Sequence, residues 1–89
     1  MREMIHLTLY TRRGCFLCDK MKAAVRAVAA DVPLKLEEVD IDRSTDLVER
    51  YGHNIPVLFV EGEEIARHRV TTDDLRHLLQ KRQAGRPPA

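Results

Sequence analysis

The sequence predicts one small α/β domain, a four-stranded mixed sheet with helices on both faces, in the order β-α-β-α-β-β-α. Three observations carry this. Apolar residues first alternate at a period of two and then recur at helical spacing, so a strand leads into a helix. A second strand-like run, "LKLEEVDI", follows that helix, and a strand–helix–strand unit within one sheet is parallel with a right-handed crossover. Later, "VLFV" and "EIARHRV" are separated only by the turn "EGE", which demands an antiparallel hairpin and makes the sheet mixed.

Taken in order, Ile5, Leu7 and Leu9 alternate with His6, Thr8 and Tyr10, the pattern of a half-buried strand. The loop "TRRG" follows. From Phe16 onward Cys18, Met21, Val25, Val28 and Val32 recur at helical spacing, with Asp19, Lys20, Lys22 and Arg26 on other faces, and Pro33 stops that helix. In "LKLEEVDI" the apolar phase shifts between Leu36 and Val39, which suggests a bulge or twist. Ser44 or Asp42 caps a short helix carrying Leu47, Val48 and Tyr51, ended by Gly52. "VLFV" is a continuous apolar run, suited to a central strand buried on both faces, whereas "EIARHRV" is polar enough for an edge. Thr71 and Asp74 form a capping box that opens a last helix with Leu75, Leu78 and Leu79. The domain is expected over residues 1–82 and a flexible tail, "QAGRPPA", over residues 83–89.

The chain has 89 residues, enough for one modest core. Its net charge is +1 with both signs interspersed, and it has four aromatic residues, a poor basis for a nucleic-acid surface. No segment approaches the roughly 20 apolar residues of a membrane helix. The N-terminal apolar run alternates like a strand and lacks a small-residue cleavage site, so a cytoplasmic protein is expected. The expected state is a monomer.

The only two cysteines, Cys15 and Cys18, form a C-x-x-C pair where the first strand gives way to the first helix. In a cytoplasmic chain beside a βαβ pattern, this spacing points to a redox couple. A helix N-terminus offers unpaired N–H groups and the positive end of the helix dipole, both of which favour a thiolate at Cys15. Arg12 and Arg13 add positive charge upstream and Asp19 opposes it slightly. Cys18 falls on the apolar face with Met21 and Val25, where burial keeps it a thiol. Cys15 is therefore expected to attack and Cys18 to resolve. Other readings of the pair are a zinc site, a purely structural disulfide and two inert thiols. Zinc needs four ligands, and His6, His53, His68 and His77 are scattered.

A second signal is "NIPV". Pro56 opens the central strand, a position where proline is tolerated. Two geometries are open: a trans proline that merely starts the strand, or a cis Ile55–Pro56 bond that turns Ile55 toward the cysteines and leaves its backbone for an extended substrate. Tyr10 is expected to be a strand residue with a solvated hydroxyl, Tyr51 a core residue, and His53, His68 and His77 surface residues.

With Cys15, Cys18 and Pro56 in place, the chain resembles the glutaredoxin-like members of the thioredoxin superfamily. The nearest likeness is to bacterial glutaredoxin-like small redox proteins, carried by "LYTRRGCFLCDKMK", "EEVDID" and "YGHNIPVLFVEGEEIARHRV" and extending to about Leu79. The resemblance implies a thioredoxin/glutaredoxin fold, a nucleophilic Cys15, a resolving Cys18 and a cis Pro56. The substrate contacts expected are Arg12, Thr72 and Asp73, which the resemblance implies, together with Phe16 and Leu17 as an apolar contact surface and Ile55 and Pro56 as the place for an extended substrate. Departures are present. Phe16-Leu17 stands where glutaredoxins usually have Pro-Tyr, and Asn54-Ile55-Pro56 stands for Thr-Val-Pro. Arg69-Val70 replaces the Gly-Gly pair that lets glutathione approach the backbone, while Thr72-Asp73 and Arg12 retain parts of a glutathione site.

The function expected is that of a thiol–disulfide oxidoreductase acting on disulfide-containing proteins or small disulfides through the Cys15–Cys18 dithiol. No bound cofactor is expected; glutathione is a candidate co-substrate and a thioredoxin reductase a candidate electron donor. Alternatives are an iron–sulfur or metal carrier using Cys15 with glutathione, or a redox-inactive adaptor that binds peptides beside Pro56.

Overall fold

Ile5, Leu7 and Leu9 are almost wholly buried in the first strand, β1 (Ile5–Thr11), as their alternation requires. The computed structural model describes residues 4–84. After β1 come α1 (Phe16–Ala29), β2 (Leu34–Asp40), a 3₁₀ turn (Ile41–Arg43), α2 (Thr45–Tyr51), β3 (Val57–Val60), β4 (Glu63–Arg67) and α3 (Thr72–Ala84). The sheet order is β2-β1-β3-β4, with β1 parallel to β2 and antiparallel to β3, and β3 antiparallel to β4.

Period-two alternation gives the sheet two apolar faces. Against one face lie α1 and α3: Leu7, Leu9, Leu58 and Val60 of the strands pack with Met21, Val25 and Val28 of α1 and Leu75 and Leu79 of α3. Each large side chain buried there contributes about 1.5–3 kcal/mol. The opposite face holds a smaller cluster of Ile41, Tyr51 and Val57, with Tyr10, Leu47, Val48, Ile55 and Phe59 packed around it. Helices therefore cover both faces, and β3 is apolar throughout because it is sandwiched between the two clusters.

Several local expectations are corrected. α1 ends at Ala29, before Pro33; Asp31 and Val32 both donate to the Val28 carbonyl, which closes a turn and keeps Val32 buried. β2 has no bulge. Its register with β1 is continuous from Ile5↔Leu34 to Thr11↔Asp40. The phase change has another cause: Leu34 and Leu36 join the α1–α3 face, and Val39, an odd number of residues on, is buried on the other. The register shift occurs instead in the hairpin, where Leu58 pairs with Ala66 and Phe59 with Glu64, leaving Ile65 as the extra residue on β4. Both Ile65 and Ala66 thereby pack on the α1–α3 cluster.

Ile41 begins the 3₁₀ turn rather than ending β2, and its side chain is fully buried. Ser44 occupies the N-cap of α2 without a side-chain capping bond, and Asp42 does not cap it either, being bound to Arg12. β4 stops at Arg67, short of the expected Val70, because His68 takes a positive φ of 67° and leaves the ladder. Glu61 and Gly62 also have positive φ, 50° and 85°, the signature of a two-residue primed hairpin turn. Thr71 caps α3 as expected, its Oγ1 accepting from the Asp74 N–H at 3.1 Å. Gln83 and Ala84 belong to α3 rather than to a tail, and an Arg82–Glu63 ion pair of 2.8 Å ties the last turn to β4. Residues 85–89 of the expected tail lie outside the described residues. Among the described residues, no helix is long and apolar enough to cross a membrane.

Candidate functional site

Four chain segments converge at one end of the sheet, and the strand registers show why. Tyr10, near the end of β1, pairs with Val57, the first residue of β3, and Val57 pairs with Arg67, the last residue of β4. Thr11 pairs with Asp40, the last residue of β2. The loop carrying the cysteines, the "NIP" segment, the turn after β2 and the segment His68–Thr71 therefore all leave the sheet at the same end.

Cys15 and Cys18 form a disulfide there, with Cα atoms 5.2 Å apart. Gly14, at φ 73°, makes the left-handed step into the helix; no atom crowds it, so backbone conformation alone selects glycine. Cys15 is the N-cap of α1. Its Sγ accepts the Cys18 backbone N–H at 3.1 Å, and its carbonyl accepts the Asp19 N–H at 3.2 Å. The sulfur thus occupies the place of a capping oxygen, facing donors a helix start leaves unpaired. Cys15 is half-buried and Cys18 is 1% exposed, so Cys15 keeps surface open to solvent while Cys18 sits in the core layer of α1.

The flanking residues divide. Phe16 is 70% exposed, and the Lys20 ammonium lies over its ring, 4.8 Å from the centroid. Leu17 is half-buried beside Met21, Arg69 and Val70. The Ile55–Pro56 bond is cis, Pro56 is buried, and its carbonyl accepts the His68 N–H at 2.8 Å. The N–H and C=O of Ile55 meet no backbone partner among the described residues.

Arg12 differs from the sequence reading. It is not a free cation beside Cys15. Its guanidinium grips the Asp42 carboxylate in a fork, with Nε donating to Oδ1 and Oδ2 at 3.0 and 3.1 Å and Nη2 donating to Oδ1 at 2.7 Å. The hydrogen bonds from Arg12 hold the Asp42 carboxyl below the usual carboxylate range and raise Arg12 in turn. Of the two cations expected to favour the Cys15 thiolate, Arg12 is therefore balanced by Asp42, while Arg13 is exposed and holds no carboxylate among the described residues, so the helix N-terminus and Arg13 remain as sources. Asp73 is engaged as well, accepting from Arg76 at 3.3 Å, and Thr72 is half-buried at the start of α3. Tyr10 is a half-buried strand residue, as expected. It stacks on Tyr51 with centroids 4.5 Å apart and meets Phe59 edge-on, part of the second core cluster.

Sequence reasoning missed two residues. Asp42 is 30 positions from Arg12, and no spacing rule links them; only the parallel β1–β2 register does. His68 was assigned to the surface, and it is exposed, yet it fixes the Pro56 segment through its N–H, while its Nε2 lies 3.4 Å from the His53 carbonyl. A non-glycine residue at positive φ carries no sequence signal. Among the described residues no group of three or more His, Cys, Asp or Glu side chains is arranged to hold a metal ion.

A strand–loop–helix with a C-x-x-C disulfide at the helix N-terminus, at the same end of a β2-β1-β3-β4 mixed sheet as a cis-proline, defines a protein of the thioredoxin-like fold. The chain superposes on a thioredoxin from Halobacterium salinarum with a TM-score of 0.63, over 93% of this chain and 78% of that one, at 23% identity. Residues 6–80 match the Glutaredoxin-like domain (DUF836) family, and the chain belongs to it. It is 30% identical, over 84 residues, to the "Glutaredoxin-like protein YDR286C homolog" of Dictyostelium discoideum, covering 88% of this chain and 78% of that protein. Protein Ne2328 from Nitrosomonas europaea has a similar structure, with a TM-score of 0.75 and 31% identity over 89% of this chain and 95% of that one.

Proposed function

We propose that this chain is a thiol–disulfide oxidoreductase that reduces protein disulfides and draws its electrons from a protein donor of the thioredoxin-reductase type in preference to glutathione. The observation that carries the reading is the asymmetry of the pair: Cys15 is half-buried at the N-cap with a backbone N–H aimed at its sulfur, whereas Cys18 is buried. In the reduced protein the Cys15 thiolate attacks one sulfur of a substrate disulfide. A Cys15–substrate disulfide forms, and the other substrate sulfur leaves as a thiolate that takes a proton from water. Cys18 then loses its proton and attacks Cys15 Sγ, expelling the second substrate thiolate. Two electrons have passed to the substrate, and Cys15–Cys18 is the disulfide seen here.

Phe16 and Leu17 offer an apolar contact beside the reacting sulfur, and the unpaired backbone of Ile55 suits an extended peptide laid along Pro56. The preference for a protein donor is supported by the residues a glutathione site would need. Arg12 is bound to Asp42, and Val70 puts a side chain where a glycine would leave the backbone open. Side-by-side turnover of a protein disulfide with NADPH and thioredoxin reductase, or with glutathione and glutathione reductase, tests this. Faster turnover with the former is expected. Turnover with glutathione alone sinks the donor assignment, and none in either system, or with dithiothreitol, sinks the oxidoreductase reading.

A further inference from the structure

Beside the disulfide, α1 and the segment before α3 enclose a cavity of about 180 Å³ lined by Leu17, Lys20, Met21, Arg69 and Val70. Arg69 and Val70 also line a second, larger cavity of about 500 Å³ between β4 and α3, so the two adjoin at that segment as a groove along α3. Its floor is apolar: Leu17, Met21 and Val70 near the disulfide, then Ile65, Ala66 and Leu78, the last 39% exposed. Its rim is basic. Lys20, Arg69 and Lys81 stand along it, and Asp74 is the one carboxylate among the lining residues of either cavity.

The charge of that rim is not balanced within the chain. Arg12, Lys22, Arg67, Arg76 and Arg82 each hold a carboxylate. Among the described residues eight cations hold none, Arg13, Lys20, Arg26, Lys35, Arg43, Arg50, Arg69 and Lys81, and three of these, Lys20, Arg69 and Lys81, gather on the groove, where Lys20 also lies over Phe16. We propose that this groove docks an extended, acidic segment of the protein substrate, with an apolar side chain seated on its floor, and so selects disulfides flanked by such a segment. The proposal rests on the oxidoreductase reading for what the docked protein undergoes, but not for the docking itself. Asp74 to Lys81 spans seven residues of helix, roughly 10 Å, the reach of about three extended residues. An occupant of that length brings two or three carboxylates to the rim. A basic segment would meet three cations.

The test has two arms. In the first, isotope-labelled oxidised protein is titrated with a cysteine-free peptide, Glu-Leu-Glu-Glu, and with Lys-Leu-Lys-Lys, and amide shifts are followed by NMR. The acidic peptide is expected to shift Leu17, Arg69, Val70, Leu78 and Lys81, with affinity falling as salt rises. The double variant Arg69→Glu, Lys81→Glu, altered at two exposed positions, is expected to bind about five-fold or more weakly. A thermal melt of the variant checks its fold, and the salt titration of the unaltered protein stands independently of it. Equal shifts from the basic peptide, shifts confined to other surfaces, or stronger shifts of the same amides by oxidised glutathione at equal concentration each overturn the proposal. In the second arm, peptides carrying a disulfide flanked by Glu or by Lys are reduced with dithiothreitol as electron source. A higher kcat/KM for the acidic peptide, reversed in the double variant, supports docking, and equal values overturn it. Acidic-selective shifts without turnover of either peptide support the groove and strike only the oxidoreductase reading.

Discussion

The Cys18 backbone N–H, 3.1 Å from Cys15 Sγ, is the one donor aimed at that sulfur among the described residues, and it can be removed. Cys18 is the third residue of α1, within the first turn, where proline is tolerated because no intrahelical bond is lost. Cys18→Pro and Cys18→Ala both remove the inner thiol, but only the first removes the N–H. A hydrogen bond to an ionised acceptor is worth about 1.5–3 kcal/mol, and one pKa unit corresponds to about 1.36 kcal/mol, so losing the donor raises the Cys15 pKa by about one to two units. Cys15 is half-buried, which favours the lower figure. In Cys18→Ala the Cys15 thiol should titrate below the free-thiol value of about 8.5, and in Cys18→Pro about one unit higher. Ultraviolet absorbance of the thiolate against pH measures both, and alkylation rate checks the assignment to Cys15. Leu17→Pro in the Cys18→Ala background controls for proline, since it strains the same turn and keeps the donor. Equal midpoints in Cys18→Pro and Cys18→Ala, with both folded, refute the claim that this N–H stabilises the thiolate.

Three other outcomes follow from the same structure. Cys18→Ser should accumulate a mixed disulfide at Cys15 with a protein substrate, and Cys15→Ser should trap little, as read by non-reducing gels and mass spectrometry; equal trapping contradicts the division of roles. Leu58→Ala should destabilise the domain by about 2–5 kcal/mol in urea unfolding, because Leu58 is fully buried in the cluster between the sheet and α1–α3; a loss under about 1 kcal/mol would mean the site can collapse. The Asp42 carboxyl titrates below its ordinary value of 3.8 when folded, so its pairing with Arg12 stabilises the fold fully above that value and loses the effect as pH falls through the folded value. Asp42→Asn should therefore lower stability at neutral pH, less so at high salt, and match the unaltered protein at the acid end; a constant difference across pH would show that the carboxylate charge is not the cause.

Local pattern was sufficient for much of this protein. Alternation at Ile5, Leu7 and Leu9, helical spacing from Cys18 to Val28 and the turn at Glu61-Gly62 each act over a few residues, and strand, helix and hairpin follow from them. Chirality then limits how a strand–helix–strand unit can pack, which settles the parallel β1–β2 pair. The cysteine pair was legible for the same reason: two residues of spacing at a strand-to-helix boundary put one sulfur at the N-cap and the other in the core layer. Three-dimensional packing decided the rest. Val39 was taken for a bulge because a single strand's sequence does not show that apolar clusters lie on both sides of the sheet. Arg12 was taken for a free cation because its partner, Asp42, becomes adjacent only when β1 and β2 align. The basic rim of Lys20, Arg69 and Lys81 is drawn from a helix, a loop and another helix, and their neighbourhood exists only once α1 and α3 share one face of the sheet. Period and spacing constrain groups a turn apart, whereas the charge and apolar surface that select a partner are sums over segments that only the folded sheet brings together.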